Sequence, residues 1–416
     1  MVTRCSVCDA ELSREAIEVE CQHVPGEFVS ATPATGSDSS ANTETSKGSI
    51  THICATCGEE YTEAVNYSYY ARTAYVSASI DTETVMMFGA RYKRDFDRLF
   101  NNTALAGTTV NVTNGYIVLD QNRVDKDGLS VDIADSAMAF ADCADTKDPD
   151  NYDIYQNKLG IVAYAMCDEV TSTVYAYDAT TKAWYSGIQY TYSVKTLSEG
   201  ILASSKDNNQ KTMFVNLLEY GTAAQEYFSE KHNLGNIIRA NADLTAEQKA
   251  LATGPKAYDG AEMNMPILNN QNVFQFFIYK TNLVVEAQVT NRLFFRLPSS
   301  YTEANTAVDM TDYTLEVTYT DFLGETKSLI FTSDMFQPEG RTNRYYVDVA
   351  MPTPDLRSIT TIVVKNAGVA AGPECTMSIE NLVEGVIASS SDEAQIDLFN
   401  KVMAFGDAAN YYLANK

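Results

Sequence analysis

Residues 191–231 read TYSVKTLSEGILASSKDNNQKTMFVNLLEYGTAAQEYFSEK, and residues 376–416 read TMSIENLVEGVIASSSDEAQIDLFNKVMAFGDAANYYLANK. The two stretches align without a gap at a constant offset of 185, and sixteen of the 41 aligned positions are identical. A repeat of this length indicates two copies of one structural module. Duplicated modules in series are more typical of stalks, adhesive arrays and assembly units than of an enzyme with a single active site.

Each copy carries a helical pattern. In the first copy, apolar residues that include Met213 and Leu217 follow the i, i+3, i+4 spacing of a long helix, after a shorter helix around Leu197. The second copy predicts the same pair at 379–389 and 393–414. Gly221 and its equivalent Gly406 lie inside the long helices, where glycine costs about 0.5–1 kcal/mol relative to alanine. We therefore expect a packing role for both glycines, in which the helix backbone approaches the sheet closely.

The segments that precede each helical pair are rich in Tyr, Thr and Val and alternate as strands do. Asn114-Gly115 is a hairpin-turn signal between two of them. The predicted fold is mainly β with α: a zinc-ribbon-like N-terminal segment, followed by two β-sandwich modules that each end in a helical pair. The predicted limits are a Cys-rich domain at 1–62 with a low-complexity exposed loop at 31–49, a first module at 63–245, a connector at 246–258 and a second module at 259–416.

The chain is strongly acidic. Its 416 residues carry a formal net charge of −25, which excludes a general nucleic-acid binder, because that function needs clustered Lys and Arg to neutralise phosphates. No apolar run reaches the ~18–20 residues of a membrane span, and the start MVTRCSVC lacks the apolar core of a signal peptide. The chain is therefore either cytoplasmic or a fragment of a larger exported protein, and we favour the fragment.

Two Cys-x-x-Cys pairs, Cys5/Cys8 and Cys54/Cys57, form the sharpest chemical pattern. Such a pair turns tightly so that both thiolates face one ion, and two pairs complete a tetrahedral zinc site. A site of this kind is closed and structural, and it would stabilise a segment too small to hold a core of its own. Disulfides and free thiols remain open alternatives, since an exported protein favours disulfides.

Further residues could serve the same chemistry. Cys21 and His23 are spare candidate ligands, although a loop histidine held by a backbone hydrogen bond is the favoured interpretation of His23. We expect His52 to be a strand residue and Trp184, the only tryptophan, to lie in a core. The Asp-rich stretch TKDPDNYD at 146–153 leaves calcium binding open, but its spacing fits no EF-hand loop.

The sequence contains none of the common catalytic motifs. It lacks Gly-x-Ser-x-Gly, His-Glu-x-x-His, a phosphate-binding loop and a dinucleotide fingerprint. Only three histidines are present, which disfavours Ser–His–Asp and Cys–His sites. We therefore expect no enzymatic activity, while carboxylate pairs of the kind used in glycoside hydrolysis remain open among the many Asp and Glu residues.

The first helical tail resembles a module of large secreted or cell-surface proteins of anaerobic Gram-positive bacteria. Those proteins carry an LLNYGAAAQ-x-YF signature after a β-sandwich, and here the match is carried by Leu217, Leu218, Tyr220, Gly221, Ala223, Ala224, Gln225, Tyr227 and Phe228. The N-terminal Cys-x-x-Cys pattern resembles the repeats found beside such modules. The resemblance implies an extracellular or cell-surface location and a structural or binding role, and it implies no reaction.

Four functional hypotheses follow from these features. The leading one is a non-enzymatic extracytoplasmic structural or adhesive protein of tandem modules that self-assembles or contacts other protein subunits and cell-surface components. The second is a carbohydrate-binding protein with a glycan partner. The others are a virion or filament subunit and an accessory region of a glycoside hydrolase.

Overall fold

The computed structural model describes residues 2–4, 11–14, 21–37, 41–79, 84–91, 111–121, 123–124, 130–131, 137–142, 146–147, 153–232, 238–258, 263–264, 277–285, 289–297 and 309–416.

The strands of the first half are β1 (Val2–Arg4), β2 (Glu11–Arg14), β3 (Pro25–Thr32), β4 (Thr35–Gly36), β5 (Glu44–Ser46), β6 (Gly48–Cys54), β7 (Glu60–Tyr67), β8 (Tyr75–Ser79), β9 (Val85–Arg91), β10 (Val112–Asp120), β11 (Arg123–Val124), β12 (Ser130–Val131), β13 (Met138–Ala139), β14 (Thr146–Lys147), β15 (Asp153–Gly160), β16 (Val170–Asp178), β17 (Ala183–Ser186) and β18 (Tyr190–Tyr192). The strands of the second half are β19 (Phe277–Val285), β20 (Val289–Arg296), β21 (Tyr313–Thr320), β22 (Thr326–Thr332), β23 (Gln337–Pro338), β24 (Arg344–Met351), β25 (Thr360–Asn366), β26 (Val369–Ala370) and β27 (Cys375–Met377). The α-helices are α1 (Val194–Ser204), α2 (Asn208–His232), α3 (Ala246–Lys249), α4 (Ile379–Ser389) and α5 (Glu393–Ala414).

The first module is built on two sheets. One runs in the order β13-β10-β16-β17-β7-β6-β3, with β18 paired to β16, and the other runs β14-β15-β9-β8. Their inward residues, such as Phe88 of β9 and Ile117 of β10, are fully buried in a common core. Asn157 of β15 donates a hydrogen bond of 2.8 Å to the carbonyl of Ile117 and so joins the two sheets directly.

The strands of the Cys-rich segment belong to the larger of these sheets. β3, β6 and β7 form its edge, and β7 pairs in parallel with β17 through Val65 and Trp184. The predicted domain limit at residue 62 falls inside β7. The candidate metal ligands around Cys54 are thus carried on an edge of the first module's sheet.

The stretch 31–49, which we expected to be an exposed low-complexity loop, contains a short antiparallel strand pair, β4 and β5, in its described residues. Thr35 and Gly36 pair with Ser46 and Glu44, and the side chain of Glu44 accepts a hydrogen bond of 2.8 Å from the backbone amide of Tyr67. The Ser- and Thr-rich composition did not predict these strands, because they are held by backbone and side-chain hydrogen bonds and bury few apolar side chains.

The hairpin predicted at Asn114-Gly115 was wrong, because both residues lie within the single strand β10. The register with β16 shifts between Val112 and Asn114, as in a β-bulge. A Cβ atom on Gly115 would lie 2.2 Å from the Phe140 ring. The glycine therefore serves the close approach of a neighbouring ring and not a turn.

The second module also has two facing sheets, in the orders β19-β20-β24-β23 and β22-β21-β25-β26, with β27 paired to β25. Leu293 and Phe295 of β20 and Leu315 and Val317 of β21 are completely buried between them. Each module is thus a pair of β-sheets followed by a pair of helices, as the sequence predicted.

The helical pairs repeat with the offset of 185. α1 and α4 both begin with a serine N-cap, Ser193 or Ser378, whose side chain accepts from the backbone amide three residues later. The side chain at that third position in turn accepts a hydrogen bond from the backbone amide of the cap residue, which completes a capping box in each copy. Because these signals are local in sequence, both helices start where the repeat predicts.

Gly221 and Gly406 have the packing role that we predicted, but the close neighbour is a 3₁₀ turn. A Cβ on Gly221 would lie 2.6 Å from the Met166 sulfur, just after the turn Ala163–Ala165. A Cβ on Gly406 would lie 2.8 Å from Cδ1 of Leu356, just after the turn Thr353–Asp355. The repeated glycine therefore seats each long helix against its own module.

The long helices also join the modules, because α2 and α5 pack against each other in an antiparallel arrangement. Lys401 of α5 forms an ion pair of 3.0 Å with Glu219 of α2, and Gln395 donates to the hydroxyl of Tyr227 at 3.1 Å. One large cluster of buried apolar residues consequently spans both modules, and a second, smaller cluster surrounds Trp184 in the first.

Candidate metal centre

A tight turn between β6 and β7 carries the second Cys-x-x-Cys pair. The amide of Gly58 donates to the carbonyl of Cys54 at 2.9 Å, and the amide of Cys54 donates to the carbonyl of Glu59 at 2.8 Å. Gly58 has a φ of +76°, a left-handed conformation that side chains other than glycine adopt reluctantly. The turn directs the side chains of Cys54 and Cys57 toward the same point.

The chain entering β3 brings two further donors to this turn. Pro25 of β3 is the register partner of Cys54, and Ala55 donates a backbone hydrogen bond of 3.0 Å to the carbonyl of Val24. Cys21 and His23 therefore lie beside the turn. The His23 imidazole stacks on the Tyr61 ring, with centroids 4.6 Å apart and planes inclined by 11°.

The donor atoms of Cys21, His23, Cys54 and Cys57 all lie within 4.8 Å of one another. The sulfurs of Cys21 and Cys54 are 3.8 Å apart, and Nδ1 of His23 is 3.6 Å from the Cys57 sulfur. In a tetrahedral site with Zn–S near 2.3 Å and Zn–N near 2.0–2.1 Å, the sulfur–sulfur and sulfur–nitrogen edges are about 3.8 and 3.6 Å. Three thiols and an imidazole in this geometry could hold a metal ion such as zinc.

Backbone amides prepare Cys54 to act as a thiolate. Burial by itself would raise the pKa of this thiol, but hydrogen bonds from the backbone amides of Val24, Cys57 and Thr56 lower it to about 5. The amides of Val24 and Thr56 each lie 3.4 Å from the Cys54 sulfur. Amide–sulfur hydrogen bonds of this kind orient a metal ligand and stabilise its negative charge.

The pKa of the Cys21 thiol is shifted in the opposite direction from that of Cys54. Its hydrogen bond to Cys57, its burial and its contact with Cys54 raise the pKa of the Cys21 thiol to about 12. A second thiolate beside the first is disfavoured until a cation compensates the charge. A bound metal ion would supply that charge, so ion binding would be coupled to loss of the Cys21 proton.

The structure thus assembles half of the predicted ligand set. Cys54 and Cys57 lie in the cluster, whereas Cys5 and Cys8 fall outside the described residues. Cys21 and His23, the spare candidates, also lie in the cluster. Their sequence signal is the Cys-x-His spacing just before a strand, which places both side chains beside the same turn.

The Asp-rich stretch at 146–153, for which calcium binding was left open, is only partly described. Lys147 ends β14 and Asp153 begins β15, while residues 148–152 lie outside the described ranges. Within the described residues, one group of donors could hold a metal ion, and it consists of Cys21, His23, Cys54 and Cys57.

An aromatic layer lies behind the metal centre. His52, two residues before Cys54 on β6, is a strand residue as predicted and is completely buried. Its ring lies 5.2 Å from the ring of Trp184, which is also completely buried and so confirms the predicted core position. Within the described part of the chain, neither ring nitrogen of His52 has a hydrogen-bond partner, and burial lowers the pKa of this imidazole.

All five cysteines in the described ranges are free thiols: Cys21, Cys54, Cys57, Cys167 and Cys375. Cys167 and Cys375 do not belong to the cluster, and burial raises the pKa of both thiols. Four protein donors around one ion would make a closed tetrahedral set, which is the arrangement of structural metal sites.

Known proteins add no assignment to this geometry. No protein-family model matches the chain, and no curated protein is significantly similar to it. Among the described residues, none of the helices combines the length and the apolar character that crossing a membrane requires.

Proposed function

We propose that this protein is a non-enzymatic structural or adhesive protein that acts outside the cytoplasm, with one zinc ion holding the edge of its first module. The observation that carries the zinc assignment is the set of four donors within 4.8 Å of one another. Three thiols and an imidazole are soft ligands that select zinc over the hard cations magnesium and calcium. A closed set of this kind stabilises a fold and does not activate a water molecule.

The ion would secure a weak part of the sheet. β3 pairs with β6 through a register that shifts twice, between Pro25 and Phe28 and between Phe28 and Ser30. Such irregular pairing provides fewer regular backbone hydrogen bonds than an unbroken ladder. An ion bound by Cys21 and His23 on one side and by Cys54 and Cys57 on the other would tie the two strands together.

The structural and adhesive role rests on the architecture and the charge. Two modules of the same plan stand in one chain, and a net charge of −25 suits a surface exposed to the surrounding medium. The resemblance of the helical tails to modules of bacterial surface proteins supports the same role and the extracytoplasmic location.

Self-assembly and catalysis can be tested on the same preparation. The proposal predicts no turnover on a panel of polysaccharides, and ordered assemblies or binding to cell-surface components when the intact chain is examined by negative-stain microscopy and cell-binding assays. Turnover that persists through repurification, and that disappears on heat denaturation, would contradict the non-enzymatic role.

A further inference from the structure

The strand β22 lies at the end of one sheet of the second module, and no described strand lies beyond it. It pairs with β21 over seven consecutive residues without a register shift. None of its side chains is buried, and the four on its outer face are exposed: Thr326, Ser328, Ile330 and Thr332. A terminal strand of this kind presents outward backbone amides and carbonyls that can pair with a further strand.

The other strands that have a single partner strand are less suited to such pairing. Within the described ranges, β3 and β19 are the others of these that exceed five residues. Both have shifted registers, between Phe28 and Ser30 in β3 and between Ile278 and Lys280 in β19. Short strands and bulges are two of the ways in which proteins protect the edges of their sheets. The edge at β22 has neither protection.

A lysine on a terminal strand commonly discourages pairing, but Lys327 is already engaged. Its ammonium forms ion pairs of 3.1 Å with Asp321 and 2.6 Å with Glu325, both of which precede β22. Because side chains alternate along a strand, Lys327 shares the inner face with Leu329 and Phe331, which pack against the core. Its charge is therefore compensated at the beginning of the strand.

The charge of β22 suits a contact between two copies of this chain. Copies that each carry a net charge of −25 repel each other, so a stable contact favours a segment without acidic residues. The strand reads TKSLIFT and contains no Asp or Glu. In an antiparallel pair centred on Leu329, each Lys327 lies opposite Phe331 of the other copy. Each Ser328 lies opposite Ile330, and no like charges face each other within the strand pair.

Exposed apolar side chains flank the strand symmetrically. Leu323 lies six residues before Leu329 and Met335 lies six residues after it, and they are 64% and 50% exposed. Ile330, within the strand, is 58% exposed. A two-fold axis through Leu329 brings Leu323 of one copy to the same end of the strand pair as Met335 of the other. The surface is thus self-complementary, as an isologous contact requires.

We propose that β22 binds a second copy of this chain by antiparallel pairing with the β22 of that copy, centred on Leu329. The two sheets join into one continuous sheet across the contact, which closes a dimer. This contact specifies the partner in the proposed self-assembly and rests on that role. It lies in the second module and does not involve the metal centre of the first.

The first test is sedimentation velocity of the intact chain over a range of concentrations, under reducing conditions. We expect a monomer–dimer equilibrium. Ile330→Lys places a charge on the exposed edge of both copies and is expected to weaken dimerisation by roughly tenfold or more, because each dimer contains the changed cross-strand pair twice.

The matched control is Val369→Lys. Val369 lies in β26 at the opposite end of the same sheet and is 71% exposed, so this variant makes the same change of charge at an exposed site away from β22. It is expected to dimerise as the parent does. Melting curves of both variants establish that they are folded.

Disulfide cross-linking tests the register. Directly opposite residues have Cα atoms about 4.5–5.5 Å apart, within the range that a disulfide spans, whereas diagonal neighbours are about 7–8 Å apart. Chains with Ser328→Cys and chains with Ile330→Cys are oxidised separately and as a mixture, beside the parent chain, which measures bridging by the native cysteines. We expect a covalent dimer in the mixture well above the level of the parent or of either variant alone.

Several outcomes would overturn this contact. A chain that stays monomeric at every concentration would remove it, while the non-enzymatic and cell-binding parts of the proposed function would stand on their own assays. Equal weakening by Val369→Lys would reduce the association to a general effect of charge. Dimers that Ile330→Lys leaves intact, or a mixture that cross-links no better than each variant alone, would contradict the pairing of β22 with itself.

Discussion

Tyr220 and Phe405 stack on each other, with ring centroids 5.9 Å apart and planes inclined by 18°. The two residues are 185 positions apart, so the same position of each module contributes one ring. A contact between equivalent positions is the mark of an isologous interface with a two-fold axis, here an approximate one within a single chain. The modules are therefore joined back to back through α2 and α5 rather than strung end to end.

Metal removal is expected to change the fluorescence of Trp184. This residue is the only tryptophan, and its ring packs on His52, two residues from Cys54. Loss of the ion would loosen the β3–β6 edge and admit water to the indole. We predict a red shift of the emission when a strong zinc chelator is added, reversed by adding zinc.

The variant Cys54→Ser provides the control for this measurement. It is expected to show the shifted spectrum without chelator and no further response to it. An emission spectrum that is identical with and without metal would argue against an ion at this edge of the sheet.

The ligand set can be distinguished by single substitutions. If Cys21 and His23 complete the site, Cys21→Ser and His23→Gln will each weaken zinc binding by roughly tenfold or more, since each removes one of four ligands. Cys5→Ser is then expected to retain zinc. If the ligands are instead Cys5, Cys8, Cys54 and Cys57, as the Cys-x-x-Cys pairs alone predict, Cys5→Ser will weaken zinc binding. Cys21→Ser and His23→Gln will then retain zinc.

Competition with a chromogenic chelator measures these affinities, and Cys167→Ser serves as the thiol control. Cys167 contacts Gln225 at 3.5 Å and does not belong to the cluster. Loss of zinc in that control would indicate a general effect of losing a thiol.

The effect of alanine at a helical glycine is expected to depend on the space around that glycine. Gly221→Ala and Gly406→Ala would place a methyl group within 2.6 and 2.8 Å of a neighbouring side chain. We predict that each lowers the free energy of unfolding by about 1–3 kcal/mol, the usual cost of overpacking.

Two other helical glycines supply the controls, because a Cβ at Gly200 or Gly385 meets nothing within 4 Å. Alanine at either position is expected to stabilise the protein by about 0.5–1 kcal/mol through helix propensity. Chemical denaturation checks all four variants. Stabilisation by Gly221→Ala would show that the helix does not approach Met166 as described.

Asp355 should make stability depend on pH. Burial raises the pKa of this carboxyl to about 6, although the backbone amide of Phe322 donates to it at 2.7 Å. An unfolded aspartate has a pKa near 3.9, so between about pH 4 and 6 the folded chain holds a proton that the unfolded chain has lost. Stability from this group is therefore complete below about pH 4 and is lost as the pH rises through 6.

The variant Asp355→Asn keeps an acceptor for Phe322 and removes the charge. Relative to this variant, the parent is expected to lose roughly 1–3 kcal/mol of unfolding free energy between pH 4 and pH 7. The strong acidity of the rest of the chain affects both proteins and cancels in the comparison. A difference that stays constant over this range would contradict the raised pKa.

Local signals account for what could be predicted from the sequence. The capping residues Ser193 and Ser378, the helical spacing and the repeated glycine all act within a few residues, so the two helical pairs could be placed before the structure was known. The β-richness and the pairing of sheets with helices followed from alternation in the same way.

Non-local pairing explains most of what could not be predicted. Val65 lies beside Trp184 in a parallel strand pair, although more than a hundred residues separate them, and no local pattern indicates such a partner. For the same reason Cys21 and His23 could be named only as spare candidates, since they reach the metal centre through the pairing of β3 with β6. The hairpin prediction at Asn114-Gly115 was wrong because the dipeptide favours a turn in isolation. In the fold, Gly115 lies in a strand where the Phe140 ring packs against it.

The most direct test of the metal centre is native mass spectrometry of the purified chain, with free thiols counted on the same sample. The account predicts one zinc ion per chain, with Cys21, Cys54 and Cys57 unoxidised. A chain without metal, in which these thiols are blocked as disulfides, would contradict it and would replace the zinc site by a covalent one.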